Sequence, residues 1–198
     1  MVKGWHGWLG TFNGVVLITV VALPLAALAV WALARRRRAA GTTSAWRTSL
    51  ADVGIVYGTV PWVWMIMLPG DQAGAVSGRV TVVPLRDLLT IFSDGGPLTA
   101  TVQVVGNLLV FAALGFFAPL RFPALASVPR ILVLAAGCSV LVETAQYVLR
   151  LDRVSSVDDV LLNAAGAGLA ALASRRWWRV TPDTPTDRRP QPAPAAGR

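Results

Sequence analysis

Apolar positions in this chain gather into five long runs, each ended by arginine, proline or glycine. The first covers about residues 9–34 and stops at Arg35-Arg36-Arg37-Arg38. The second covers about residues 50–68 and meets Pro69-Gly70. The third, about 98–120, ends at Arg121-Phe122-Pro123, and Pro129-Arg130 opens the fourth, about 131–149. The fifth, about 157–173, is closed by Arg175-Arg176-Trp177-Trp178-Arg179. Apolar runs near 20 residues match the thickness of a bilayer crossed by a helix. The pattern therefore predicts an all-α, polytopic transmembrane helix bundle of about five spans, the first kinked at Pro24.

The intervals between runs add detail. Residues 70–98 form a long connection rich in turn formers, among them Gly70-Asp71, Gly74 and Asp94-Gly95-Gly96-Pro97. Inside it, residues 80–92 are apolar around Arg86 and Asp87, and too short to cross. They predict a short outer segment, interfacial or re-entrant. Residues 181–198 carry proline, alanine and arginine without apolar periodicity and are expected to be disordered. Three units follow: an N-terminal anchor with a basic cytoplasmic loop (1–49), a membrane domain (50–174) and a basic cytoplasmic tail (175–198).

Composition sharpens this reading. With 55% hydrophobic and 14% charged residues, the 198-residue chain is too apolar for an ordinary soluble domain. Its net charge of +8 does not point to nucleic acid, because the arginines abut the apolar runs. Thirteen of the 18 basic residues fall on one side of the expected membrane: Arg35 to Arg38, Arg47, Arg121, Arg130, Arg175, Arg176, Arg179 and three in the tail. That bias predicts the N-terminus outside and the C-terminus in the cytoplasm. The tryptophans agree, with Trp5, Trp8, Trp62 and Trp64 near the outer interface and Trp31, Trp46, Trp177 and Trp178 near the inner one. The first run reads as an anchor rather than a cleaved signal, since it is long and its positive charge follows it. Cys138 is the only cysteine, so no internal disulfide forms. His6, the only histidine, stands far from the acidic residues. No metal site and no cofactor are expected.

Candidate chemistry is concentrated in residues 139–166, where acidic and amide side chains interrupt apolar helices. A charge near a bilayer centre costs about 2.5–3.5 kcal/mol on insertion scales, so the fold or the function must offset it. Glu143, Gln146 and Arg150 are spaced to share one stripe of the fourth helix, and Asp159, Asn163 and Gly166 one stripe of the fifth. The short connection makes these helices antiparallel neighbours. Asn107 sits at similar depth in the third span, with Gly106, Gly115, Gly166 and Gly168 allowing close backbone approach. The expected site is an outward pocket lined by Asn107, Glu143, Gln146, Arg153, Asp158, Asp159 and Asn163. Each residue also has a purely structural reading. Ser156 can cap the fifth helix, with Asp158 and Asp159 complementing its dipole. Glu143 can pair with Arg150 or Arg153. The amides can act as interhelical glue worth roughly 0.6 kcal/mol each.

Three segments resemble the VanZ-like membrane proteins. They are Val83-Pro84-Leu85; Gly106-Asn107-Leu108-Leu109-Val110-Phe111 running into Leu114-Gly115-Phe116; and residues 139–166, with Ser139, Glu143, Gln146, Arg153, Ser156, Asp158, Asp159, Asn163 and Gly166 in register. The chain departs from the family pattern at Ala113 (often proline), Ser156 (often aspartate) and Ala170 (often glycine). The resemblance, over roughly residues 50–174, implies a bacterial cytoplasmic-membrane protein related to one linked with glycopeptide (teicoplanin) resistance. It implies no particular reaction. The leading expectation is a cell-envelope protein whose pocket binds or modifies a lipid-linked or peptidoglycan-related molecule, with membrane lipids as partners and no nucleic acid. One alternative is a membrane enzyme with Glu143 as general acid or base, though no nucleophile, metal cluster or phosphate loop accompanies it. Another is a small proton-coupled transporter, though the inner halves of the spans offer Glu143 no relay partner.

Overall fold

The computed structural model describes residues 11–75, 78–94 and 96–178. His6, Trp5, Trp8 and the tail from residue 179 lie outside them. In chain order the elements are α1 (Phe12–Ala39), α2 (Ala45–Ile66), β1 (Arg79–Thr81), α3 (Arg86–Asp94), α4 (Gly96–Val110), α5 (Ala112–Arg121), α6 (Val128–Val148), β2 (Val154–Ser156) and α7 (Val157–Ser174). Short 3₁₀ turns at Pro123–Leu125 and Arg175–Trp177 follow α5 and α7. Five spans are long and apolar enough to cross a membrane: α1, α2, α4 with α5, α6, and α7 extended to Trp177.

The third span is not continuous. It breaks at Phe111, between α4 and α5, where the helix geometry lapses for one residue. Around the break its backbone lies directly on α7. A Cβ added at Gly166 would stand 1.9 Å from the Leu108 carbonyl oxygen, and one at Gly115 2.1 Å from that of Ala167. Such contact is available only to glycine and lets α7 fill the centre of the bundle. Gly168 gives similar room to the Leu132 side chain, whereas Gly106 faces open space and does not serve the close approach expected of it. Neither Pro24 nor Pro61 ends its helix; both are carried inside α1 and α2. The buried centre consists of small and branched side chains, Val110, Ala118, Ile131, Ala135, Ala167 and Ala171, with Phe111.

The two ends of the bundle differ. At one end α1 runs into α2, α5 into α6, and α7 into its last turn, so the arginines collect there. Arg35 stacks on Trp31, Arg38 on Trp46, Arg121 on Phe122 and Arg176 on Trp177, with the guanidinium carbon 4.0–5.4 Å from each ring centre. Asp52 of α2 is paired with Arg37 of α1 and, at 2.5 Å, with Arg121 of α5. Arg37 also donates to Ser49 at 2.8 Å. The opposite end carries what lies between α2 and α4. Here β1 pairs in parallel with β2, Arg79 opposite Val154 and Thr81 opposite Ser156, a contact that hydropathy did not predict. The loop after α2 is tied down by Gly70 and Gly74 N–H groups donating to the Leu151 and Arg150 carbonyls, each at 2.9 Å. The segment expected to be interfacial or re-entrant resolves into β1 and the nine-residue α3.

Candidate functional site

Beneath α3 lies a cavity of about 370 Å³. Asn107, Glu143, Gln146, Arg153, Asp158, Asp159 and Asn163 all contribute to its lining, together with Asp87, Thr90, Gln103 and Ser156. Ile66, Leu88 and Ile91 supply apolar walls. Five segments therefore build it: the end of α2, α3, the second half of α4, the end of α6, and β2 running into α7.

Two of the side chains hold the roof in place. Ser156 caps α7, its hydroxyl accepting from Asp158 N at 3.2 Å, as its position before the two aspartates suggested. Asp158 itself serves a different helix. Its carboxylate accepts from the backbone N–H groups of Leu85 (2.5 Å), Asp87 (3.1 Å) and Leu88 (3.2 Å) at the start of α3. These are donors that the first turn of a helix leaves without intrahelical partners. Leu85 takes a left-handed conformation (φ 66°), uncommon for a leucine, and the Asp158 hydrogen bond secures it there. Val83-Pro84-Leu85 is thus the turn that delivers three amides to one carboxylate. Asp158 is only 2% exposed.

Along the walls, amides position carboxylates. Asp159 accepts from Asn107 and, at 3.4 Å, from Gln103, one turn earlier on α4. Gln146 donates across the bundle to the Ile66 carbonyl at 2.8 Å and fixes α6 to the end of α2. Glu143 accepts from the Ser156 N–H at 3.1 Å, and Ser155 donates to the Glu143 carbonyl at 3.0 Å. The ion pair considered between Glu143 and Arg150 or Arg153 is not formed. Among the described residues the ion pairs join Arg37 and Arg121 to Asp52 at the other end. Helix α6 stops at Val148, so Arg150 (φ 51°) falls beyond it in an exposed turn and leaves the stripe predicted for it. Arg153 reaches the rim, donating to the Leu68 carbonyl at 3.3 Å.

At the floor stands Asn163, 2% exposed. Its amide nitrogen donates to the buried Ser139 hydroxyl at 2.8 Å, but its Oδ1 has no partner. A buried acceptor without a donor costs about 1–3 kcal/mol. Among the described residues no three histidine, cysteine, aspartate or glutamate side chains are grouped to hold a metal ion.

Sequence spacing passed over Gln103, Asp87 and Ser156 as lining residues. Gln103 could have been found, being four residues before Asn107 on one helix face. Asp87 could not, because its place depends on the α3 turn and on Asp158.

Comparison with curated proteins and with solved structures finds no match to either. Comparison with family models does: the VanZ/LLP1 model matches residues 55–178, more than half of the chain, from the middle of α2 to the turn after α7. The chain belongs to the VanZ-like family, as a helical membrane protein with five potential spans.

Proposed function

We propose that this protein is a bacterial cytoplasmic-membrane protein whose polar cavity opens outward and binds, or acts on, a lipid-linked or other cell-envelope molecule, thereby affecting the response to glycopeptide-type antibiotics. The single observation that carries the reading is a cavity of about 370 Å³ lined by Glu143, Asp158 and Asp159, whose hydrogen-bond partners carry no charge. Carboxylates buried for structure alone are ordinarily paired with cations, as Asp52 is at the other end.

Outward opening is supported by the arginine belt at the opposite end, which the positive-inside rule assigns to the cytoplasm. In this proposal residues 1–49 anchor the membrane domain of residues 50–174, and residues 175–198 remain cytoplasmic. Reporter fusions test the orientation. A periplasm-dependent reporter should be active after Gly74 and silent after Arg179, and the reverse pattern would refute it. The functional test is an antibiotic susceptibility panel on a deletion strain complemented with wild type or with Glu143→Gln. Wild type should restore the parental response and Glu143→Gln should not. Full restoration by Glu143→Gln would remove the cavity from the function.

A further inference from the structure

The roof of the cavity has two unlike faces. Asp87, Leu88, Thr90 and Ile91 of α3 line the space below it. Leu89 and Phe92 are 68% and 56% exposed, and Leu85, just ahead of the helix, is 58% exposed. At 3.6 residues per turn Leu89 and Phe92 share one side of α3, away from Asp87 and Ile91. No residue of α3 is buried. The exposed apolar row continues backward through Val83, Val82 and Val80. Single exposed apolar side chains are ordinary, whereas a row of them marks a surface that something covers.

The placement of α3 says what covers it. Its start hangs from Asp158, in the first turn of α7, through the Leu85, Asp87 and Leu88 amides. Its last residue, Asp94, is two positions before Gly96, where α4 begins. Both helices are spans, and Leu98 and Val102 in the first turns of α4 are 76% and 64% exposed, as lipid-facing residues are. These two attachments set α3 at the membrane surface, at the end away from the arginine belt. Nine residues rise about 13 Å, too little to cross. A helix at that level with an apolar outward face meets lipid. Arg86, exposed next to that face, is placed for lipid phosphates.

We propose that α3 is a lid with two holds, Asp158 at its start and, through Leu85, Leu89 and Phe92, the lipid of the adjacent leaflet. The bilayer is then part of the roof, and the cavity stays closed while that face lies in lipid. Hydropathy alone placed this stretch at the interface; the helix assigns one face to the lipid and the other to the cavity. The proposal holds whether or not the cavity takes a ligand.

The test uses full-length protein in phospholipid nanodiscs. In a Cys138→Ser background, a nitroxide is placed at Leu89→Cys or Phe92→Cys, with Val133→Cys on α6 (74% exposed) as the lipid reference and Asp71→Cys, exposed in the turn after α2, as the water reference. Collisions with oxygen and with a water-soluble nickel chelate read the surroundings of each label. The labels at positions 89 and 92 should favour oxygen, as that at 133 does. Preference for nickel, as at 71, would overturn the proposal. Shielding from both would place protein, such as a second copy, on the stripe and would also overturn it. The hold is tested by the Leu89→Ser, Phe92→Ser double variant, which leaves Asp158 and its amides intact. Amide exchange along α3 should quicken about tenfold in the same nanodiscs, with α6 and α7 unchanged. Unchanged exchange in α3 would show that lipid does not hold the lid. Faster exchange throughout the bundle would make the stripe part of the fold, and either result would overturn the proposal.

Discussion

Asp52 and Glu143 are carboxylates inside apolar helices, and they are treated in opposite ways. Asp52 stands at the arginine end between two guanidinium groups from α1 and α5, with Arg37 further held by Ser49. Glu143 stands at the cavity end with the Ser156 N–H on its carboxylate and open space before it. The first arrangement closes on itself: three helices are joined and little is left to offer another molecule. The second is incomplete. Placed side by side, they suggest that a carboxylate kept at membrane depth without a cation is kept for something outside the chain.

The largest expected effect lies at the closed end. Asp52→Ala strands Arg37 and Arg121, both only about one-third exposed or less. Removing the shared partner of two half-buried arginines leaves uncompensated charge, so a loss of about 2–4 kcal/mol is expected, visible as a lower melting temperature in detergent and lower abundance in membranes. An unchanged melting temperature would dissolve the contrast between the two ends.

A smaller effect is expected where the cavity end is structural. Asp158→Ala leaves the Leu85, Asp87 and Leu88 amides without their acceptor, at a cost of about 1–3 kcal/mol. Amide exchange should quicken at these residues and spread along α3, while α6 and α7 keep their protection. Uniform loss of protection would mean that Asp158 holds the bundle rather than the roof. Smaller again is Ser156→Ala, which removes the cap of α7 and should cost about 1 kcal/mol, read as a modest fall in melting temperature. A fall as large as that of Asp52→Ala would make the β2–α7 junction a keystone of the bundle.

These contrasts also mark what spacing along the chain discloses. Runs of apolar residues carried the five spans, because a bilayer demands length and apolarity that nothing else in the sequence imitates. Helical periodicity grouped Glu143 with Gln146 and Asp159 with Asn163, because each pair falls wholly within one regular helix. It failed for Arg150, since α6 ends two residues earlier and the periodicity ends with it. The pairing of Asp52 with Arg37 and Arg121 was passed over although the lone carboxylate in an apolar run was visible; its partners lie 15 and 69 residues away. The Asp158 contact with α3 spans more than 70 residues, and no local rule ties an aspartate in one helix to the first turn of another. The β1–β2 pairing is hidden for the same reason, as three residues on each side are too few to show alternation.

The central claim is that the cavity-end carboxylates serve a ligand and the Asp52 cluster serves the fold. Its most direct test is to measure, in one set of strains, membrane abundance and antibiotic susceptibility for wild type, Asp52→Ala and Glu143→Gln. Glutamine keeps the size of Glu143 and can still accept from the Ser156 N–H, so Glu143→Gln should accumulate to wild-type levels yet behave as the deletion does. Asp52→Ala should lose abundance and phenotype in proportion. If Glu143→Gln instead loses abundance in proportion to its phenotype, Glu143 holds the structure together, and the distinction between the two ends is wrong.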